Sequence, residues 1–154
     1  MVNAGSNEIS VFQVRPAGLV LTDKVASGGV RPTSLAVRNN LIYVLNAGDP
    51  GNITGFRFRQ GGKLIPLANS TRNLSNNGIG AAPGPAQVSF NPAGNALAVT
   101  ERGTNLIDIY TLDRKGLPSV PTVNTSAGVT PFGFAFTPDA TLVVSEAAGG
   151  AAGA

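Results

Sequence analysis

Apolar positions along the chain come in short runs, each broken by Gly, Pro, Asn or Asp. Ile107 and Ile109 alternate with Asp108 and Tyr110, the period-two pattern of a strand with two unlike faces. The runs predict strands over Thr33–Arg38, Leu41–Asn46, Ile53–Arg59 and Lys63–Ala68. A second set is predicted over Ala86–Asn91, Ala96–Glu101, Leu106–Leu112 and Ser119–Asn124. The joints are turn chemistry: Asn39-Asn40, Gln60-Gly61-Gly62, Pro92-Ala93-Gly94-Asn95 and Asp113-Arg114-Lys115-Gly116.

The runs repeat as units. Asn3-Ala4-Gly5, Asn46-Ala47-Gly48, Glu101-Arg102-Gly103 and Glu146-Ala147-Ala148-Gly149 begin 43, 55 and 45 residues apart. A second landmark keeps step with them. Ser27-Gly28-Gly29-Val30-Arg31-Pro32 and Ser126-Ala127-Gly128-Val129-Thr130-Pro131 each precede a first strand, and Pro83-Gly84-Pro85 does so between them. The longer middle spacing implies an insertion around Asn73 to Ala82. Four short strands recurring at this interval are the signature of a propeller blade. The expected fold is all-β: four-stranded antiparallel blades, about three of them, in an incomplete ring. The chain divides into a partial blade at 1–26, blades at 27–70 and 83–125, a partial blade at 126–146, and a flexible Ala/Gly tail at 147–154.

With its Asn-Ala-Gly…Ile-x-x-Phe units, Gly84-Pro85-Ala86-Gln87-Val88-Ser89-Phe90-Asn91-Pro92-Ala93-Gly94 and Pro131-Phe132-Gly133-Phe134-Ala135-Phe136, the sequence resembles the lactonase-type seven-bladed β-propeller family. Bacterial 6-phosphogluconolactonase and fungal carboxymuconate cyclase belong to that family. The resemblance implies a hydrolase or cyclase acting on a sugar lactone or muconolactone. Such propellers often carry His just before Phe-x-Pro-x-Gly. Here that stretch is Gly84-Pro85-Ala86-Gln87, without imidazole, whereas the family's acidic residue after the second strand has a counterpart in Glu101.

Composition narrows the chemistry. The 154 residues contain no His and no Cys, which excludes His-based triads, thiol nucleophiles and Cys-ligated zinc. Charged residues are only 12% of the chain, and the net charge of +3 is scattered. Nucleic-acid binding requires a basic patch, so no nucleic-acid partner is expected. No apolar run approaches the length of a membrane span, and no membrane partner is expected either. No cofactor or metal site is expected. Met1 to Gly5 lacks the pattern of a signal peptide, leaving secreted and cytoplasmic settings both open.

Strand polarity selects the candidate site. In an antiparallel blade, first strands begin on the face where second strands end. Asn46, Gln87, Glu101, Arg102 and Glu146 therefore ring one face, with Arg31 and Thr130 close by. On the enzymatic reading Glu101 is the acid–base and Arg102 an anion clamp, with Asn46, Gln87 and Glu146 as ligand-binding residues. Glu101 and Glu146 hold equivalent positions, so proximity would raise one carboxyl pKa. On the other reading the chain is a non-catalytic scaffold or binding module that displays its loops to a protein or carbohydrate partner, with a small-molecule lactone as the alternative ligand. The incomplete ring adds the expectation of self-association between two copies.

Overall fold

The computed structural model describes residues 1–148, and the expected tail lies mostly outside them. Among the described residues there is no helix, and the strands form four sheets. The first holds β1 (Val2–Asn3), β2 (Glu8–Arg15) and β3 (Gly18–Ala26). The second holds β4 (Pro32–Arg38), β5 (Leu41–Asn46), β6 (Asn52–Arg59), β7 (Lys63–Pro66) and β8 (Arg72–Asn73). The third holds β9 (Pro85–Phe90), β10 (Ala96–Glu101), β11 (Leu106–Thr111) and β12 (Thr122–Thr125), and the fourth β13 (Pro131–Phe136) and β14 (Leu142–Glu146).

Each sheet is an antiparallel meander in chain order. Its strands match the sequence expectation except at outer edges. The second sheet's outer strand stops at Pro66 and resumes at Arg72–Asn73, where β8 pairs with Asn52 and Ile53 of β6. This sheet thus reaches three residues beyond the expected limit at 70. In the third sheet the outer strand starts at Thr122, after an isolated bridge between Leu112 and Pro118.

Three first strands start alike. Pro32 pairs with Asn46, Pro85 with Glu101 and Pro131 with Glu146, and each pairing is followed by a register shift. Proline has no N–H for the ladder, so the first residue of a strand beside a bulge suits it.

The sheets stack in order through their faces. Ile9, Ile42, Val44, Phe56 and Leu64 form a core between the first and second sheets. Tyr43, Leu45, Ile53, Val88, Leu97, Val99 and Tyr110 form the larger core between the second and third, joined by Leu74 from the segment that links them. Polar bonds carry the stacking to the fourth sheet. The Thr100 hydroxyl donates to the Phe132 carbonyl at 2.6 Å. Gln87 donates through Nε2 to the Phe134 carbonyl at 2.8 Å and accepts from the Phe134 amide at 3.1 Å.

Turns between units use the same device twice. Asn7 and Asn105 sit at φ 57°, and their side-chain oxygens accept from the amides of Arg31 and Thr130, both also at positive φ. The carbonyls of Asn7 and Asn105 accept from the amides of Ser27 and Ser126. Asn tolerates the left-handed region and offers a local acceptor, which accounts for its recurrence there.

Candidate functional site

The register places the second-strand ends beside the first-strand starts, and the side chains at those ends are engaged by the chain entering each sheet. Asn46 is fully buried, and its Nδ2 donates to the Ser27 carbonyl at 3.3 Å and to Asn52 Oδ1 at 2.9 Å. Gly28 and Gly29 lie so close that a Cβ would fall 2.5 Å from Thr54 and 2.7 Å from Asn46. Glu146 accepts from the Ser126 hydroxyl at 2.8 Å and the Gly128 amide at 2.7 Å.

Glu101 is held most tightly. It is fully buried, its Oε1 accepts from the Ser75 amide at 3.0 Å, and its Oε2 accepts from the Ser75 hydroxyl at 2.6 Å and from Thr104 Oγ1. Ser75 belongs to the insertion, which takes the place that Ser27 and Ser126 hold in the neighbouring units. The site face is therefore anchored from within rather than left open.

The carboxyl brought to Glu101 is Asp108, on the adjacent strand of the same sheet, whereas Glu146 is bound by donors of its own unit. Asp108 pairs with Val99 and lies diagonally across from Glu101 on one face of β10 and β11. It is fully buried; Oδ1 has no hydrogen-bond partner among the described residues, and Oδ2 lies 3.4 Å from the Tyr110 hydroxyl. Burial, followed by the hydrogen bond and negative charge of Glu101, pushes the Asp108 carboxyl up to about 8. Burial likewise holds the Tyr110 phenol far above its ordinary range. The Tyr110 hydroxyl donates to the Asn73 carbonyl at 3.1 Å. The sequence pattern contains Asp108 but gives no signal that its side of the strand is the covered one.

Arg102 points elsewhere. It is exposed, donates from Nε to the Gly84 carbonyl at 3.1 Å, and lies with Cζ 5.3 Å from the centre of the Phe132 ring. Phe132 closes one end of a groove of about 510 Å³ between the inner strands β4 and β9, whose walls include Ser34, Arg38, Gln87 and Ser89. The structure thus separates the candidate residues: Gln87 lines the groove, Arg102 lies against Phe132 beside it, Asn46 and Glu101 are buried, and Glu146 is exposed. No group of three or more His, Cys, Asp or Glu residues suited to a metal occurs among the described residues. Among the described residues, no helix is long and apolar enough to cross a membrane.

Consecutive antiparallel meanders of two to five strands, stacked through their inner strands, define a β-propeller arc. The chain belongs to the lactonase family of seven-bladed β-propellers, whose model matches residues 1–148. Its fold is similar to a protein from Lactobacillus plantarum, with a TM-score of 0.83 and 19% identity over 93% of this chain and 43% of that one. It is also similar to a putative 6-phosphogluconolactonase from Bacteroides fragilis, with a TM-score of 0.75 and 19% identity over 94% and 43% of the two chains. A third similar structure is the periplasmic gluconolactonase of Pseudomonas aeruginosa, with a TM-score of 0.73 and 20% identity over 94% and 42%. The chain thus spans less than half the length of each. No curated protein matches the sequence.

Proposed function

We propose that this arc supplies a binding wall of a lactonase-type propeller, for a sugar lactone or related carbohydrate, and does not itself supply the acid–base. The observation that carries this reading is the state of Glu101. Its carboxylate is buried and already accepts three hydrogen bonds, so it offers no free oxygen to a substrate. The groove between β4 and β9 presents hydroxyls at Ser34 and Ser89, groups that match a polyhydroxylated ring, and Gln87, committed to the Phe134 backbone, holds the wall between them and the fourth sheet. Arg102, braced on Phe132 at the groove's end, supplies positive charge for a carboxylate or phosphate substituent. The enzymatic alternative, with Glu101 as acid–base in a longer parent, requires Ser75 and Thr104 to release it.

The test is a titration of the 154-residue chain with gluconolactone, followed by amide shifts and by lactone hydrolysis. Shifts at Ser34, Gln87, Ser89 and Phe132 without hydrolysis above buffer are expected. Hydrolysis that disappears in Glu101→Gln would overturn the scaffold reading in favour of the enzyme.

The arc also fits self-association between two copies. An apolar groove of about 330 Å³ lies where the first sheet meets β4, lined by Ile9, Val11, Leu35, Val37 and Leu64. Nearby, β1 is an edge strand of the first sheet, as β14 is of the fourth, and strands of a second copy pair with these edges. Sedimentation equilibrium decides: a dimer mass is expected, and a monomer at high concentration overturns it.

A further inference from the structure

We propose that Asp108 and Glu101 share one proton as a buried carboxyl pair, and that this proton fastens segment 75–82 onto the third sheet as a strap that loosens when the pair loses it. The inference is independent of any ligand in the groove. It starts from an imbalance of donors and acceptors. Glu101 accepts from the Ser75 amide, the Ser75 hydroxyl and Thr104 Oγ1, so it is the acceptor of the pair. Asp108 has one oxygen unpartnered and the other only 3.4 Å from a phenol, in a fully buried position. A second carboxylate there would lack both solvent and counter-charge, which is costly, whereas a carboxylic acid would donate to Glu101 and satisfy both groups.

Among the described residues, the surroundings supply no cation. From β10 the titratable group is Glu101 itself, and from β11 it is Tyr110. The core cluster adds the phenol Tyr43 from the second sheet, and both phenols are pushed up by burial. Arg72, on the strand leading into the strap, donates to the carbonyls of Asn69 and Thr71. Arg102 donates to Gly84 and stacks on Phe132. Among the described residues, the ion pairs are Lys24–Glu8 and Lys63–Asp23, neither at this cage.

The strap is built to move as a piece. Leu74 is buried and its amide donates to Gly51, fixing one end. At the other end the amides of Arg102 and Gly103 donate to the carbonyls of Gly84 and Pro83. Between these anchors, Asn77 to Ala82 are exposed, and the bonds to the third sheet pass through Ser75. Removing the shared proton leaves two buried negative charges without solvent; the Ser75 amide favours the ionised form, but the larger penalty of burial is relieved when the strap lifts and admits water. Release uncovers Glu101.

The test uses the 154-residue chain without substitution. Carbon-13 NMR of side-chain carboxyls follows Asp108, and hydrogen exchange, corrected for its intrinsic pH dependence, follows the Ser75 amide. We expect Asp108 to stay protonated well above the ordinary carboxyl range, and Ser75 protection to fall about tenfold or more through the same transition. Asp108→Asn, which keeps a donor toward Glu101 but cannot ionise, should make that protection independent of pH. Titration of Asp108 near pH 4, or Ser75 protection unchanged across its titration, overturns the proposal. A gain in Ser75 protection on adding calcium at constant pH would also overturn it, by placing a cation rather than a proton in the cage. If the Asn variant does not fold, the two measurements on the unsubstituted chain still decide.

Discussion

The phenol of Tyr43 donates to the carbonyl oxygen of Gly116 at 2.6 Å, joining the second sheet to a turn of the third across 73 residues of sequence. Tyr43 is fully buried and its ring meets Phe90 edge-on at 6.1 Å. One side chain thus contributes to the apolar core between two sheets and to a polar tie at its margin. Tyr43→Phe keeps the ring and leaves the Gly116 carbonyl without that donor. A loss of about 1–3 kcal/mol is expected by urea unfolding. A change within error would mean that water takes the donor's place.

The link to the fourth sheet is narrower. Gln87 makes both of its hydrogen bonds there with the backbone of Phe134. Gln87→Ala removes a donor and an acceptor together, and should raise amide exchange in β13 and β14 selectively. Uniform exchange across all four sheets would show that the fourth does not open separately.

Stability should fall as pH rises from about 4 to about 8, because burial and Glu101 raise the Asp108 carboxyl. The native state binds that proton more tightly than the unfolded chain, so the contribution is complete below the unfolded pKa near 4 and is lost through the folded one. Melting temperature measured across this range should decline, and Asp108→Asn should flatten the decline. A rise over the same interval would contradict the assignment.

Gly103 faces backbone rather than a movable side chain. A Cβ there would lie 2.3 Å from the Ala82 carbonyl oxygen and 3.1 Å from that of Pro83. Gly103→Ala should therefore cost about 1–3 kcal/mol and increase proteolysis within 75–82. Wild-type proteolysis in this variant would show that the segment yields without leaving the sheet.

The repeat was legible because the residues that define it meet backbone demands recurring in each unit. Asn7 and Asn105 adopt positive φ, Pro32, Pro85 and Pro131 open first strands, and Ser27 and Ser126 enter the next sheet. The central strands were placed closely for the same reason. The outer ones were not, because Leu67 to Thr71 interrupts pairing by local bonds that period-two patterning does not register, such as Ser70 Oγ to the Leu67 carbonyl at 2.6 Å.

For the candidate site, strand polarity brought the named positions to one side of the sheets but could not tell exposed from buried. Alternation separates Asp108 and Tyr110 from Ile107 and Ile109 without saying which pair is covered more deeply. The polar pair is the buried one, and the two isoleucines are half-buried. The reason is tertiary: the broad second sheet and the strap cover one face of β11, whereas only the two-stranded fourth sheet follows on the other side.

Ser75 and Ser126 donate their hydroxyls to Glu101 and Glu146, 26 and 20 residues further on, and in the second unit the polarity is reversed, the Asn46 side-chain amide donating to the Ser27 carbonyl 19 residues back. Each tie closes inside its own unit, so a stretch of gene cut just before the serine carries both halves with it. Among these ties, a copied or deleted unit would leave no orphaned partner behind. The middle unit shows how much latitude this gives: its serine now belongs to an insertion, and the tie is still made. What a duplication or loss of a blade would have to remake are the bonds between units, such as Tyr43 to Gly116 and Gln87 to Phe134.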